Sequence, residues 1–253
     1  MLSKNKIKFI QSLDRKKYRD EYGVFLVEGN KLVNEALVSE FEIDLLVGTE
    51  NFLSEKTIVS NRIAEIIATD KESIKKASLQ QSPQEALAVI KKTSLPISEA
   101  NYKGQLSLAL DCIQDPGNLG TILRIADWFG INQIFCSNDT ADVYNPKVVQ
   151  ASMGAIFRVK VFYVELPDFL AREKQKGLPV FGTFMNGKNI YTQKLSKEGI
   201  LVMGNEGNGI SEEIEKLVTE KISIPSFTEN GSGSESLNVA IATAICCSEF
   251  RRR

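Results

Sequence analysis

Short apolar runs alternate with helical spacings along the first ninety residues. VFLVE at 24–28 reads as a strand, and residues 30–39 as a helix with Leu32, Val33, Ala36 and Leu37 on one face. FEIDLLVG and TIVS read as further strands, residues 61–68 and 71–77 as helices, and EALAVIKK as a closing strand. A polar stretch, KKTSLPISEANYKG, interrupts this pattern with Pro96 and Gly104. Beyond it, strand and helix alternate more cleanly. Strands fall at LSLALDCI, NQIFCS, RVKVFYV, PVFGTF, ILVMG and KISIP, with helices predicted near 119–129, 145–156, 167–176 and 211–218, and from Glu235 onward. Apolar strands with helical crossovers imply a mostly parallel sheet covered on both faces. The expected architecture is α/β throughout, with a small domain over 1–95, a linker over 96–104 and a larger domain over 105–253.

Composition narrows the chemistry. The 253 residues carry 31 Lys+Arg against 32 Asp+Glu, 43% are apolar, and there is no histidine. That absence removes Ser–His–Asp and Cys–His nucleophiles, HExxH zinc sites and imidazole bases. No metal is therefore expected. Cys112, Cys136, Cys246 and Cys247 form no CxxC pair and lie in apolar stretches, so buried free thiols are expected. Such thiols suit a reducing compartment. The basic start MLSKNKIKFIQSL meets Asp14, Arg15 and Lys16 before a signal-peptide core forms, and no run reaches the ~18 apolar residues of a membrane span. A cytoplasmic protein without membrane contact is the expectation.

Ligands in parallel sheets bind beyond the carboxyl ends of the strands. After the first strand of the larger domain comes Asp115-Pro116-Gly117-Asn118-Leu119-Gly120, in which Asn118 is expected to cap the next helix. Arg124, six residues on, is either a surface arginine or a phosphate ligand. After the fifth strand, Gly204-Asn205-Glu206-Gly207-Asn208-Gly209 can expose backbone N–H groups. It matches neither a Walker A loop nor GxGxxG, and Glu206 within it repels phosphate. That loop is either a plain turn with a solvated Glu206 or a site for a hydroxyl, amine or cation. After the sixth strand, Ser236 and Asn238 open an apolar helix, VAIATAICC, and capping explains only one of them.

DPGNLGTILRIADWFG, LVMGNEGNGIS and ISIP followed by ESLNVAIATAI resemble, in order, the three motifs of the SpoU/TrmH family of RNA ribose 2′-O-methyltransferases. KVVQASMGAIFRV resembles the segment between the first two motifs, and FLVEGNKLVNEAL resembles the L30e-like substrate-binding domain of members that modify ribosomal RNA. The resemblance implies a SPOUT fold with a deep trefoil knot, a homodimer, and S-adenosylmethionine bound by Thr183, Gly204, Asn205, Gly207, Ile224 and Leu237. It also implies catalytic-face roles for Asn118, Arg124, Glu206, Ser236 and Asn238. Arg124, too weak an acid to give up its proton readily, is assigned first to an RNA phosphate and to the developing 2′-oxyanion, with proton abstraction by a desolvated guanidinium as the alternative. Glu206 and Asn118 would position Arg124 or the nucleotide, and Ser236 and Asn238 would bond cofactor or substrate.

Two departures stand out. The stretch from Ile224 to Leu237 is about four residues longer than the family pattern, and Gln150 replaces a basic residue. The expected partner is RNA, ribosomal rather than transfer RNA, with 23S and guanosine favoured. Lys4, Lys6, Lys8, Arg15, Lys16, Lys17 and Arg19 at one end and Arg251, Arg252 and Arg253 at the other give local positive potential despite a net charge of −1. Rival readings are a tRNA 2′-O-methyltransferase, a catalytically silent RNA-binding protein of the same fold, and an unrelated nucleotide-binding α/β enzyme.

Overall fold

The computed structural model describes residues 2–54, 60–93, 96–100, 102–228 and 236–252. By packing, the chain divides into two compact units, one of residues 1–94 with 142–157 and one of residues 95–141 with 158–253.

The first unit opens with two helices, α1 (Lys4–Ser12) and α2 (Lys16–Tyr22). Ser3 caps α1 by accepting from the Lys6 N–H. Gly23, left-handed at φ 65°, ends α2 and turns the chain into β1 (Val24–Glu28). There follow α3 (Asn30–Val38), β2 (Ile43–Gly48), α4 (Glu50–Ser54), β3 (Ile66–Ala68), α5 (Lys71–Ala77) and β4 (Ala86–Lys91). The sheet order is β1-β4-β2-β3, antiparallel except for the parallel β2/β3 edge. Residues 61–68 are therefore not a helix. Hydrogen bonds from Leu46 N to Glu65 O and from Ala64 N to Ile43 O draw this segment onto β2 as an edge strand. The expected TIVS strand lies outside the described residues save Ser60, which begins a short 3₁₀ turn. Leu26, Leu45, Val47, Leu87 and Val89 from the strands pack under Ile10 and Leu13 of the N-terminal helices and Ile74 of α5.

The second unit contains β5 (Leu106–Leu110), α6 (Pro116–Trp128) and β6 (Gln133–Cys136). After α7 (Pro146–Ser152) it resumes with β7 (Lys160–Tyr163), α8 (Leu166–Gln175), β8 (Val180–Asn189), β9 (Gly199–Met203), α9 (Glu212–Glu215), β10 (Glu220–Ser223) and α10 (Val239–Arg251). α7 itself packs with the first unit: Arg19 sends Nη2 and Nε to Asp142 Oδ2 at 2.7 and 3.2 Å, while its Nη1 donates to the carbonyls of Leu13 and Asp14. Arg19 is only 1% exposed, so the cation that looked like surface charge is a buried clamp on the segment leading into α7.

The six strands of the second unit run in the order β10-β8-β9-β5-β6-β7, and every pairing is parallel. The chain builds outward from β5 through β6 and β7, then crosses to the other side for β8, β9 and β10. The order reverses between β5 and β9, the place where open parallel sheets collect ligands. The core is aromatic, with Phe135 stacked on Phe169 at 4.2 Å and on Phe162 at 5.5 Å. β8 runs well past the expected strand because it bulges against β10: its partner register jumps between Lys221 and Ile222. Gly187 sits where a side-chain carbon would lie 2.4 Å from the Ile222 carbonyl carbon, so only glycine fits. α9 is a single turn, shorter than the helix expected over 211–218.

Candidate active site

The first loop is set by Asp115, not Asn118. Asp115 is the N-cap of α6, its carboxylate accepting the Asn118 N–H at 2.7 Å, and Pro116 takes the first helical position. This corrects the expectation that Asn118 caps the helix, and it leaves the Asn118 amide free to point elsewhere. Its Nδ2 donates to Glu206 Oε1 at 2.5 Å.

Glu206 reaches that position because its loop is closed on itself. Asn205 and Gly209 exchange both backbone hydrogen bonds at 2.9 Å, and Asn205 Oδ1 accepts from the N–H groups of Gly207 and Asn208. Asn205 Nδ2 donates to Cys112 O, tying the loop to the end of β5. Gly204 allows the closure, since a side-chain carbon there would stand 2.3 Å from Gly209. Asp111, buried at the end of β5, accepts the Ser211 N–H at 2.7 Å. Ser211 stands at the N-cap of α9, but its side chain makes no cap bond.

Asn238 completes the arrangement with a double role. Its Oδ1 caps α10 by accepting from Ala240 and Ile241, and its Nδ2 donates to Asn118 Oδ1 at 3.0 Å. A continuous chain, Asn238 to Asn118 to Glu206, thus joins residues 120 and 88 positions apart in sequence. Two amides and a carboxylate held in fixed order can orient a hydroxyl.

Arg124 stands apart from this chain. It is exposed on α6, about 9 Å farther along the axis than Asn118 and on a different face, with no hydrogen bond or ion pair to another described residue. Ser236 is also exposed, and its side chain joins no described network. Of the expected cofactor residues, Thr183 is half-buried and donates to Val202 O at 3.3 Å, binding the end of β8 to β9. Ser223 Oγ donates to Met185 O at 3.3 Å, which brings the β8 bulge to the end of β10, next to half-buried Ile224. Gly207 is exposed at the loop tip, and Leu237 is 51% exposed.

The sequence reading missed Asp111, Asp115 and the main-chain anchor at Cys112. Asp-Pro before a helix signals a cap, which points to Asp115. No local pattern reveals a bond between positions 111 and 211. Cys112 has a left-handed backbone, φ 57°, and is half-buried, not fully buried as expected of the cysteines. Its hydrogen bond to Asp139, with burial and nearby carboxylates, pushes the thiol up to about 11, so it is not a nucleophile at neutral pH. Among the described residues no group of three metal-ligating side chains comes together, and no helix is long and apolar enough to cross a membrane.

By fold and site this is an α/β protein whose all-parallel sheet carries an amide–carboxylate chain at its switch point. Residues 105–248 match the SpoU rRNA Methylase family, and the chain belongs to that family. Residues 4–88 match the MRM3-like substrate binding domain. Among relatives, the 23S rRNA (guanosine(2553)-2'-O)-methyltransferase RlmP of Bacillus subtilis is 29% identical over 97% of this chain and 96% of its own length. A TrmH-family protein from Porphyromonas gingivalis superposes with a TM-score of 0.89 and 44% identity, covering 100% of this chain and 99% of its own. The AdoMet-bound rRNA methyltransferase of Sinorhizobium meliloti superposes at 0.85 with 30% identity, covering 100% and 97%.

Proposed function

We propose that this chain is an S-adenosylmethionine-dependent methyltransferase that modifies a ribose 2′-hydroxyl of 23S ribosomal RNA, at a guanosine. The observation that carries this reading is the Asn238–Asn118–Glu206 chain at the switch point of the sheet. Family membership and the substrates and ligand named for the relatives support it.

The residues present fit the cofactor. Segments 183–187, 203–211 and 222–228 contain no lysine or arginine, so none of these loops opposes a sulfonium with a cation. Exposed apolar side chains stand in the first and third of these segments, Met185 and Phe227, and at Leu237 just before α10, able to cover an adenosine. Thr183, Gly204, Asn205, Gly207, Ile224 and Leu237 are assigned to hold it, Asn205 by shaping the loop and not by reaching out. When bound, S-adenosylmethionine supplies a methyl group on a positively charged sulfur. Asn238, Asn118 and Glu206 orient the ribose hydroxyl, and their fixed geometry reduces the entropy of alignment. Ser236 adds a hydrogen bond to cofactor or nucleotide. Arg124 grips the RNA phosphate and stabilises charge developing on the 2′-oxygen.

Arg124 lies apart from the amide chain, which is consistent with a homodimer. α6 and α10 pack side by side, and they expose Trp128, at 84%, together with Arg124 on the first helix and Ile241 on the second. Pairing two chains across these helices covers the tryptophan and sets the arginine of one against the loops of the other. The reading further takes the second unit as folded with a trefoil knot, the first unit as an L30e-like RNA-binding domain, and the cytoplasm as the compartment. Ribose-methylation mapping of total RNA from cells with and without the protein tests it. One 2′-O-methyl is expected to vanish from 23S rRNA. A loss confined to tRNA, or no loss, contradicts the proposal.

A further inference from the structure

The first two helices carry an arrangement that folding alone does not explain. α1 and α2 each begin with cations, Lys4 and Lys6 in one, Arg15, Lys16 and Lys17 at the start of the other, and neither has an acidic residue in its first turn. The helix dipole favours the opposite order, acids first and bases last. Lys4, Lys8, Arg15, Lys16 and Lys17 are all exposed, as are Lys75 and Lys76 on α5, which packs against α1. Gln11 Nε2 joins the two by donating to Lys76 O. Opposing acids are fewer: Asp14, Glu21 and Glu72 are exposed, Asp20 is held by Lys92 at 2.5 Å, and Glu65 pairs with Lys6.

Aromatic rings lie within this basic surface. Tyr18 and Tyr22, one turn apart on α2, are nearly parallel at 13° with centroids 6.2 Å apart. Phe9 of α1 meets Tyr22 edge-on at 5.2 Å, and Lys17 Nζ lies 5.9 Å from the Tyr18 ring centre. Tyr22 is 48% exposed, an unusual position for a ring already braced on one side. Exposed aromatic faces flanked by cations are what unpaired nucleic-acid bases and their phosphates recognise.

We propose that α1 and α2 form a docking face for an unpaired segment of ribosomal RNA, with a base stacked on Tyr18 and Tyr22 and phosphates on Lys8, Arg15, Lys16 and Lys17. This rests on the proposed RNA substrate and adds the surface that captures it, separate from the loops that hold the cofactor. The test measures binding of a 23S rRNA transcript to the full-length protein across a salt series, with S-adenosylmethionine binding measured in parallel. The exposed triple variant Lys8→Glu/Lys16→Glu/Lys17→Glu is expected to bind at least ~10-fold more weakly and to lower the log–log salt slope by about 2. Tyr18→Leu/Tyr22→Leu keeps apolar bulk but removes the ring faces, and is expected to lose roughly 5-fold or more at an unchanged slope. Both variants should keep the wild-type circular dichroism and urea-unfolding profile, which shows that the first unit is folded, and should retain cofactor affinity. Wild-type RNA affinity and slope in both variants overturn the docking face while leaving the enzyme reading intact. Failure of the unaltered protein to bind or methylate rRNA removes the reading beneath it.

Discussion

The two units use polar side chains in opposite ways. In the first, they are tied off against structure: Arg19 clamps Asp142 and two carbonyls, and Glu28 accepts from Ser78 Oγ and the Leu79 N–H. In the second, Asn118, Glu206 and Asn238 bond one another at an open strand end. The difference follows from the sheets. Antiparallel pairing spreads loops over both ends, so polar contacts there serve the fold. All-parallel pairing puts the β5, β9 and β10 exits at one end, where polar groups from distant segments meet. Loss of these particular contacts should therefore appear as lost stability in the first unit and as lost turnover in the second.

Four substitutions would break or sharpen that contrast. Arg19→Ala removes a buried cation and leaves a half-buried carboxylate and two carbonyls without it, and is expected to lower stability by about 3 kcal/mol in urea unfolding. Methyl transfer per folded molecule should stay near wild type. Arg124→Ala is expected to cut turnover by about 1000-fold while leaving S-adenosylmethionine affinity, read calorimetrically, within about twofold. Asn238→Asp keeps an oxygen for the α10 cap but puts a carboxylate where Nδ2 met Asn118. It should lower turnover by roughly 10–100-fold with a small change in melting temperature. The smallest effect belongs to Glu28. Burial raises its carboxyl above the usual range despite the Ser78 and Leu79 bonds. The native state thus holds its proton more tightly than the unfolded chain does, and stability falls as pH rises through that window. Glu28→Gln retains the accepting oxygen, so a modest gain in stability is expected at pH 7 that disappears below about pH 4.

The parallel character of the larger sheet and most strand positions were legible because apolar runs with helical crossovers leave few topologies. β1, α3 and α5 lie where periodicity puts them. Residues 61–68 misled because IAEII has apolar spacing compatible with a helix, whereas the hydrogen bonds of β2 demanded an edge strand there. The helix read at 145–156 exists as α7 but stops at Ser152, where Met153 turns left-handed, and pattern says nothing about which unit receives it; that choice lies in the Arg19–Asp142 pair, 123 residues apart. At the site, residue types and loops were readable, and their connections were not. Asn118 carried two possible roles, cap or ligand, and only the geometry of Asp115 decides between them. Arg19 counted as one more surface cation until burial showed otherwise.

Alkali-resistance mapping of transferred label tests the central claim most directly. Purified protein is incubated with methyl-labelled S-adenosylmethionine and an unmodified 23S rRNA transcript, and the RNA is hydrolysed in base. The account predicts label in a single alkali-stable dinucleotide, as 2′-O-methylation blocks cleavage there, and none with Arg124→Ala. Label released in mononucleotides, which places the methyl on a base, contradicts it, as does full labelling by the arginine variant.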